Sequence, residues 1–172
     1  MLNREAMASY VDSAFTKTVS GVASAKWELL GADIEEMTVE LNPDTETLKN
    51  ILGQTRTRDN GYEASMDADP FYADPSSDLY KKVRDIALGR LKGDECKTLL
   101  LEVIVEDTAA ETHLAYVREV MLKPQSYGGD TAGLNFPFSV SENGESVKGT
   151  VTAASLKAGS PTFTADSGSL SE

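Results

Sequence analysis

The chain of 172 residues carries 28 Asp and Glu against 16 Lys and Arg, a formal net charge of −12, with 40% hydrophobic residues. One domain of this size buries roughly 70% of its unfolded surface, so a folded core is expected, and a carboxylate excess without a basic block excludes a protein that grips nucleic acid by displacing counterions. The chain has no apolar run near the roughly 18 residues of a membrane span and no signal-peptide pattern at its start, and its single cysteine cannot form an internal disulfide, so a soluble chain of a reducing compartment with no membrane partner is expected.

Residues 1–25 are small and polar with scattered apolar positions that fit neither the helical nor the strand period, and read as an N-terminal arm. From Glu35 to Leu41, Met37, Val39 and Leu41 alternate with Glu36, Thr38 and Glu40, the pattern of a half-buried strand. Asn42-Pro43-Asp44 supplies turn chemistry, and residues 45–52 read as the returning strand, with Glu40 opposite Thr47. Residues 53–77 read as a long loop, although part of it has strand character. Four large side chains on it, Tyr62, Met66, Phe71 and Tyr72, need a surface to bury against.

Ser77 or Asp78 can cap a helix over residues 78–91, whose Leu79, Val83, Ile86 and Ala87 fall on one face. The run from Thr98 to Glu106 is apolar on both faces, as in a central strand. Residues 114–123 alternate, with Leu114, Tyr116, Val120 and Leu122 on one side. Leu134, Phe136, Phe138 and Val140 alternate again, and Asn143-Gly144 has the residue types of a type I′ turn that returns through Val147, Val151 and Ala153. Residues 155–172 read as a flexible C-terminal tail. The whole predicts a mainly β domain with one helix (α+β), a β-sandwich or partly closed barrel over residues 26–154 with the helix flanking it.

No catalytic or cofactor constellation is visible. His113, the only histidine, reads as a surface residue of a polar turn, and Cys96 as a structural thiol. The acids Asp67, Asp69, Asp74 and Asp78 lack the EF-hand ligand order and read as turn and cap residues, so no metal is expected. The glycines 128, 129 and 133 precede a strand and lack the spacing of a phosphate loop. An enzyme is not expected.

The runs Trp27-Glu-Leu-Leu-Gly31, Val39-Glu-Leu-Asn-Pro-Asp-Thr-Glu-Thr47, Lys49-Asn-Ile-Leu-Gly53, Asp67-Ala-Asp-Pro-Phe-Tyr-Ala-Asp-Pro75 and Gln125-Ser-Tyr-Gly-Gly-Asp130 resemble the major tail protein, or tail tube protein, of long-tailed bacteriophages infecting Gram-positive hosts. The resemblance spans residues 26–154. It implies two packed β-sheets with a flanking helix, hexameric rings that stack into a hollow tube, and DNA that passes through the bore as cargo during ejection. It further implies tape measure, tail terminator and baseplate proteins as partners, and a place in the virion tail after assembly in the host cytoplasm. Within that frame Glu36, Glu40 and Glu46 are the expected lumen-facing acids, and Tyr62, Met66, Phe71 and Tyr72 the expected inter-subunit contacts. Two other readings fit the same features: a monomeric β-sandwich binding module, and the tube subunit of a contractile, phage-derived particle.

Overall fold

The computed structural model describes residues 1–32 and 34–166. The core is built around β7 (Lys97–Ile104), whose residues 98–103 are buried on both faces. It lies between β1 (Met7–Asp12) and β8 (Thr112–Pro124), antiparallel to each. The sheet ends at β2 (Trp27–Leu29) on one side and continues on the other through β11 (Phe138–Thr152) and β6 (Ser65–Ala68) to β3 (Val39–Glu40). The short β12 (Phe163–Ala165) also pairs with β11. A separate hairpin is formed by β4 (Pro43–Lys49) and β5 (Thr55–Tyr62), and a small one by β9 (Gly128–Asp130) and β10 (Gly133–Asn135).

Helix α1 (Asp78–Gly89) begins where the Ser77 hydroxyl accepts the Tyr80 amide at 3.1 Å, and ends as Arg90 turns left-handed at φ 53°. Glu28 fixes its start to β2, because its carboxylate accepts from the Ser77 hydroxyl at 2.7 Å and from the Leu79 amide at 3.1 Å. The helix packs Leu79, Val83 and Ile86 with Leu100, Val120, Leu122, Phe138 and Val140 in one cluster. A second cluster takes Leu99, Leu101 and Val103 from alternate positions of β7, with Ala115, Val117, Val147 and Val151, beneath Val19, Trp27 and Phe163. Successive residues of β7 point to opposite faces, so the two clusters sandwich the sheet. Where β12 crosses, Gly149 leaves no room for a side chain, since a methyl there would meet the Thr164 carbonyl and the Phe163 ring. Gly149→Ala is expected to cost about 1–3 kcal/mol by forcing β12 outward, readable as a lowered urea midpoint.

Several expectations are corrected. Residues 1–25 are no free arm: β1 lies inside the sheet and buries Tyr10, Val11 and Asp12. Because both faces of this strand are covered, it shows no alternation. Asp12 has 0% exposure and organises the segment that follows. Its Oδ1 accepts the Ala14 and Lys26 amides, both at 2.8 Å, and its Oδ2 the Thr16 amide at 2.7 Å.

The expected hairpin of residues 35–41 with 45–52 does not form. Glu40 lies opposite Ser65, and Thr47 opposite Thr57. The turn is instead at residues 50–54, where Asn50 Oδ1 accepts the Leu52 and Gln54 amides at 3.0 and 2.9 Å and Gly53 takes φ 77°. Residues 53–77 therefore contain strands β5 and β6 rather than one loop.

Asn143-Gly144 is no hairpin turn either. β11 runs on through it and bulges, so that residues 143–145 oppose Glu119 alone, whose carboxylate accepts the Glu145 amide at 3.3 Å and the Val19 amide at 3.0 Å. Val140 thus faces Leu122, and Val147 faces Val117. In β8 the helix covers only Val120 and Leu122 of the expected row, leaving Leu114 and Tyr116 half-buried, while His113, Ala115 and Val117 are buried on the other face. Of the expected tail, α2 (Ala153–Lys157) and β12 are ordered elements, and residues 167–172 lie outside the described residues.

Candidate assembly surfaces

The β4–β5 hairpin has almost no core of its own. Every residue of both strands is exposed except the half-buried Gly61. Seven residues of β4 at about 3.3 Å each give a lever of about 23 Å. Its register places Glu46 opposite Arg58 and Leu48 opposite Arg56 on one face, with Thr45, Thr47, Lys49, Thr55, Thr57 and Asp59 on the other. At the tip Ile51 is 102% and Leu52 is 77% exposed. A lone two-stranded hairpin is at best marginally stable in water, and adjacent aliphatics at its tip add to the demand for a covering surface. Both residues fall in the expected returning strand of residues 45–52. The signal that locates them is the Asn50-Ile-Leu-Gly53 turn.

The expected lumen acids divide. Glu36 and Glu40 are exposed beside Asp67 around a polar groove of about 220 Å³. Glu46 is on the hairpin, apart from them. The four expected inter-subunit residues divide as well. Tyr62 stands 66% exposed at the hairpin base, whereas Met66 is 3% exposed inside the subunit core, where it pairs across strands with Val39 and Val140. Phe71 is half-buried, with its ring edge-on to Phe138 at 5.0 Å, and its amide donates to Asn135 Oδ1 at 2.7 Å. Tyr72 is half-buried and bridges to Asn135. Met66 and Phe71 belong to intramolecular packing, which alternation in a segment read as a loop could not reveal.

His113 is buried, contrary to the surface reading, because β8 begins before it and places it opposite Val151. Cys96 is buried, with Sγ 3.5 Å from the Leu91 carbonyl oxygen and 3.6 Å from Lys123 Nζ. Asp74 serves turn chemistry: its carboxylate accepts the Ser76 hydroxyl at 2.7 Å and the Ser76 amide at 2.9 Å, and these bonds hold its pKa below the usual carboxylate value. On the sheet face Arg118 Nε lies 3.3 Å from Glu102 and 3.5 Å from Glu142, with its guanidinium 5.0 Å from the Tyr116 ring centre. Among the described residues, no group of three or more His, Cys, Asp or Glu is placed to hold a metal, and no helix is long and apolar enough to cross a membrane.

No protein-family model matches the chain, and no curated protein sequence matches it significantly. Among solved structures it is similar to a chain from the tail of an empty GTA particle, computed with helical refinement and C6 symmetry. The TM-score is 0.56 at 13% identity, over 85% of this chain and 97% of that one. It is also similar to a chain of the sheath/tube terminator of an extracellular contractile injection system, PVC, in the extended state. There the TM-score is 0.50 at 10% identity, over 86% of this chain and 96% of that one. At these identities the likeness is one of fold: the chain has a tail-tube-type fold, mostly β, with a curled half-barrel sheet and few helices among the described residues.

Proposed function

We propose that the chain is a structural, non-catalytic subunit of the tail tube of a long-tailed phage or phage-like particle, in which hexameric rings stack around a bore that conducts DNA. The observation that carries this reading is the projecting β4–β5 hairpin with its bare Ile51-Leu52 tip, on a subunit whose fold matches tube components. A hairpin that cannot bury its tip at home finds that surface on a neighbouring copy, where Tyr62 at the hairpin base and the half-buried Tyr72 add contact area. Sheet edges β2 and β3 then meet neighbours instead of solvent, which suppresses uncontrolled pairing. The subunit works in the virion tail, after assembly in the host cytoplasm, with tape measure, terminator and baseplate proteins at its ends. Likeness to a contractile-system terminator favours, as a second reading, a tube enclosed by a sheath. Sedimentation of the purified protein over rising concentration tests self-assembly: six-fold and larger species are expected, and a monomer at every concentration overturns it.

A conduit must not hold its cargo, and a net charge of −12 repels phosphates where carboxylates face the bore. The Glu36, Glu40 and Asp67 groove is the candidate lining, with Glu46, apart from it on the hairpin, a separate candidate. Assembled Glu36→Lys/Glu40→Lys protein is expected to retain short duplex DNA at low salt in a nuclease-protected form that the parent does not. Binding without nuclease protection places these side chains on the outer surface.

A further inference from the structure

We infer that the cleft beside the C-terminal end of α1 receives the acidic turn of residues 106–111 from a second copy, joining subunits head to tail. This deepens the tube reading and rests on it.

The cleft has a volume of about 590 Å³ and is lined by Arg90, Lys92 and Lys123 with no carboxylate among its lining residues, in a chain where acids outnumber bases 28 to 16. Ile86 and Ala87 of α1 form part of its apolar wall. The cations are partly occupied by the helix end. Arg90 donates to the Ala87 carbonyl and, at 3.1 Å, to the Tyr127 hydroxyl, and Lys123 donates to the Leu91 carbonyl at 3.3 Å. A guanidinium carries five donors and an ammonium three, so both keep donors for a further acceptor. Lys92 is exposed and, among the described residues, in no ion pair. The nearby Asp94 is engaged with Lys97 at 2.7 Å and does not line the cleft.

The complementary element is the β7–β8 turn. Glu106, Asp107 and Glu111 are exposed there, and among the described residues none is in an ion pair. The turn is ordered internally, since Asp107 accepts the Ala109 amide on Oδ1 at 2.9 Å and the Ala110 amide on its carbonyl at 3.2 Å. β8 ends in the cleft wall at Lys123 and Pro124, β7 begins at Lys97 opposite Met121, and both strands reach the turn at their other ends. The length of the strand pair keeps the two regions apart within one chain, so each copy presents both halves of a complementary contact. A contact between different surfaces of identical copies repeats without closing on two, as a ring or a stack requires.

Two double variants test the inference without touching the residues that tie down the helix end: Lys92→Glu/Ser126→Glu in the cleft and Glu106→Lys/Glu111→Lys in the turn. Circular dichroism of each checks that it is folded. Each alone is expected to raise the critical concentration for assembly about tenfold or more, because like charges then meet across the contact. An equimolar mixture is expected to restore assembly, each variant supplying the half that the other lacks. Variants that assemble like the parent, or a mixture no better than its components, overturn the inference and leave the tube reading standing. A parent protein that never self-associates overturns both.

Discussion

Ile51→Asp/Leu52→Asp protein is expected to remain folded and to lose assembly. Both side chains are already at the solvent-exposed tip, so the subunit's melting temperature should hardly move. Burying an isoleucine and a leucine together contributes about 4 kcal/mol to each contact, roughly a thousandfold in the association constant. An aspartate pair adds the cost of desolvating two charges. The readout is sedimentation of parent and variant at matched concentration, with thermal melting as the control for folding. Assembly at the parent's concentration would show that the tip contacts nothing that matters. The comparison is sharper than one built on Phe71, whose ring packs on Phe138, so that its loss would weaken the subunit and assembly together.

Asp12→Ala is expected to produce the largest loss of subunit stability. The substitution leaves the amides of Ala14, Thr16 and Lys26 without their shared acceptor, next to a strand with 0% exposure at Val11 and Asp12. A fully buried unsatisfied amide costs about 1–3 kcal/mol, and because Ala14 and Lys26 are exposed and Thr16 is half-buried, resolvation brings the sum for the three to about 3 kcal/mol. For a chain of 172 residues that corresponds to a melting temperature lower by about 6–12 °C. Asp12→Asn keeps one acceptor oxygen but turns a donor toward the remaining amide, and should fall between the two. A melting temperature unchanged in Asp12→Ala would mean that residues 13–26 are held by packing alone.

These two predictions fall on residues that differ in how well the sequence announced them. The helix was legible because the Ser77 cap and the apolar stripe through Leu79, Val83 and Ile86 agreed, although its stop was expected near Gly93 and lies at Gly89, where Arg90 turns left-handed. β7 was legible because a run buried on both faces needs no periodicity. The same property hid β1, which is too short and too mixed in composition to stand out, and whose key residue is a carboxylate serving backbone amides far along the chain. Asn143-Gly144 misled because its turn chemistry is also compatible with a bulge, and only the pairing of both flanks to the single strand β8 distinguishes them. The partner of residues 43–49 was mistaken because two adjacent turn signals competed and the one at Asn50 and Gly53 prevailed. Among the candidate surface residues, Tyr62, Met66 and Phe71 were singled out alike by size and lack of local pattern, yet Tyr62 stands exposed while Met66 and Phe71 pack within the subunit.

The acid-base excess has a spatial arrangement that composition alone does not give. The basic cleft at one end of β7–β8 and the acidic turn at the other make the subunit polar along that axis, while Glu36, Glu40 and Asp67 gather at the β3–β6 edge. Under the proposed tube reading, the carboxylate groove repels DNA while the cleft and the turn join copies, without a single patch having to do both.

Electron micrographs of the purified, concentrated protein test the central claim most directly. Rings or tubes with a central hole, and six-fold symmetry in end views, are expected. Fields of isolated particles of subunit size at the highest attainable concentration would contradict it.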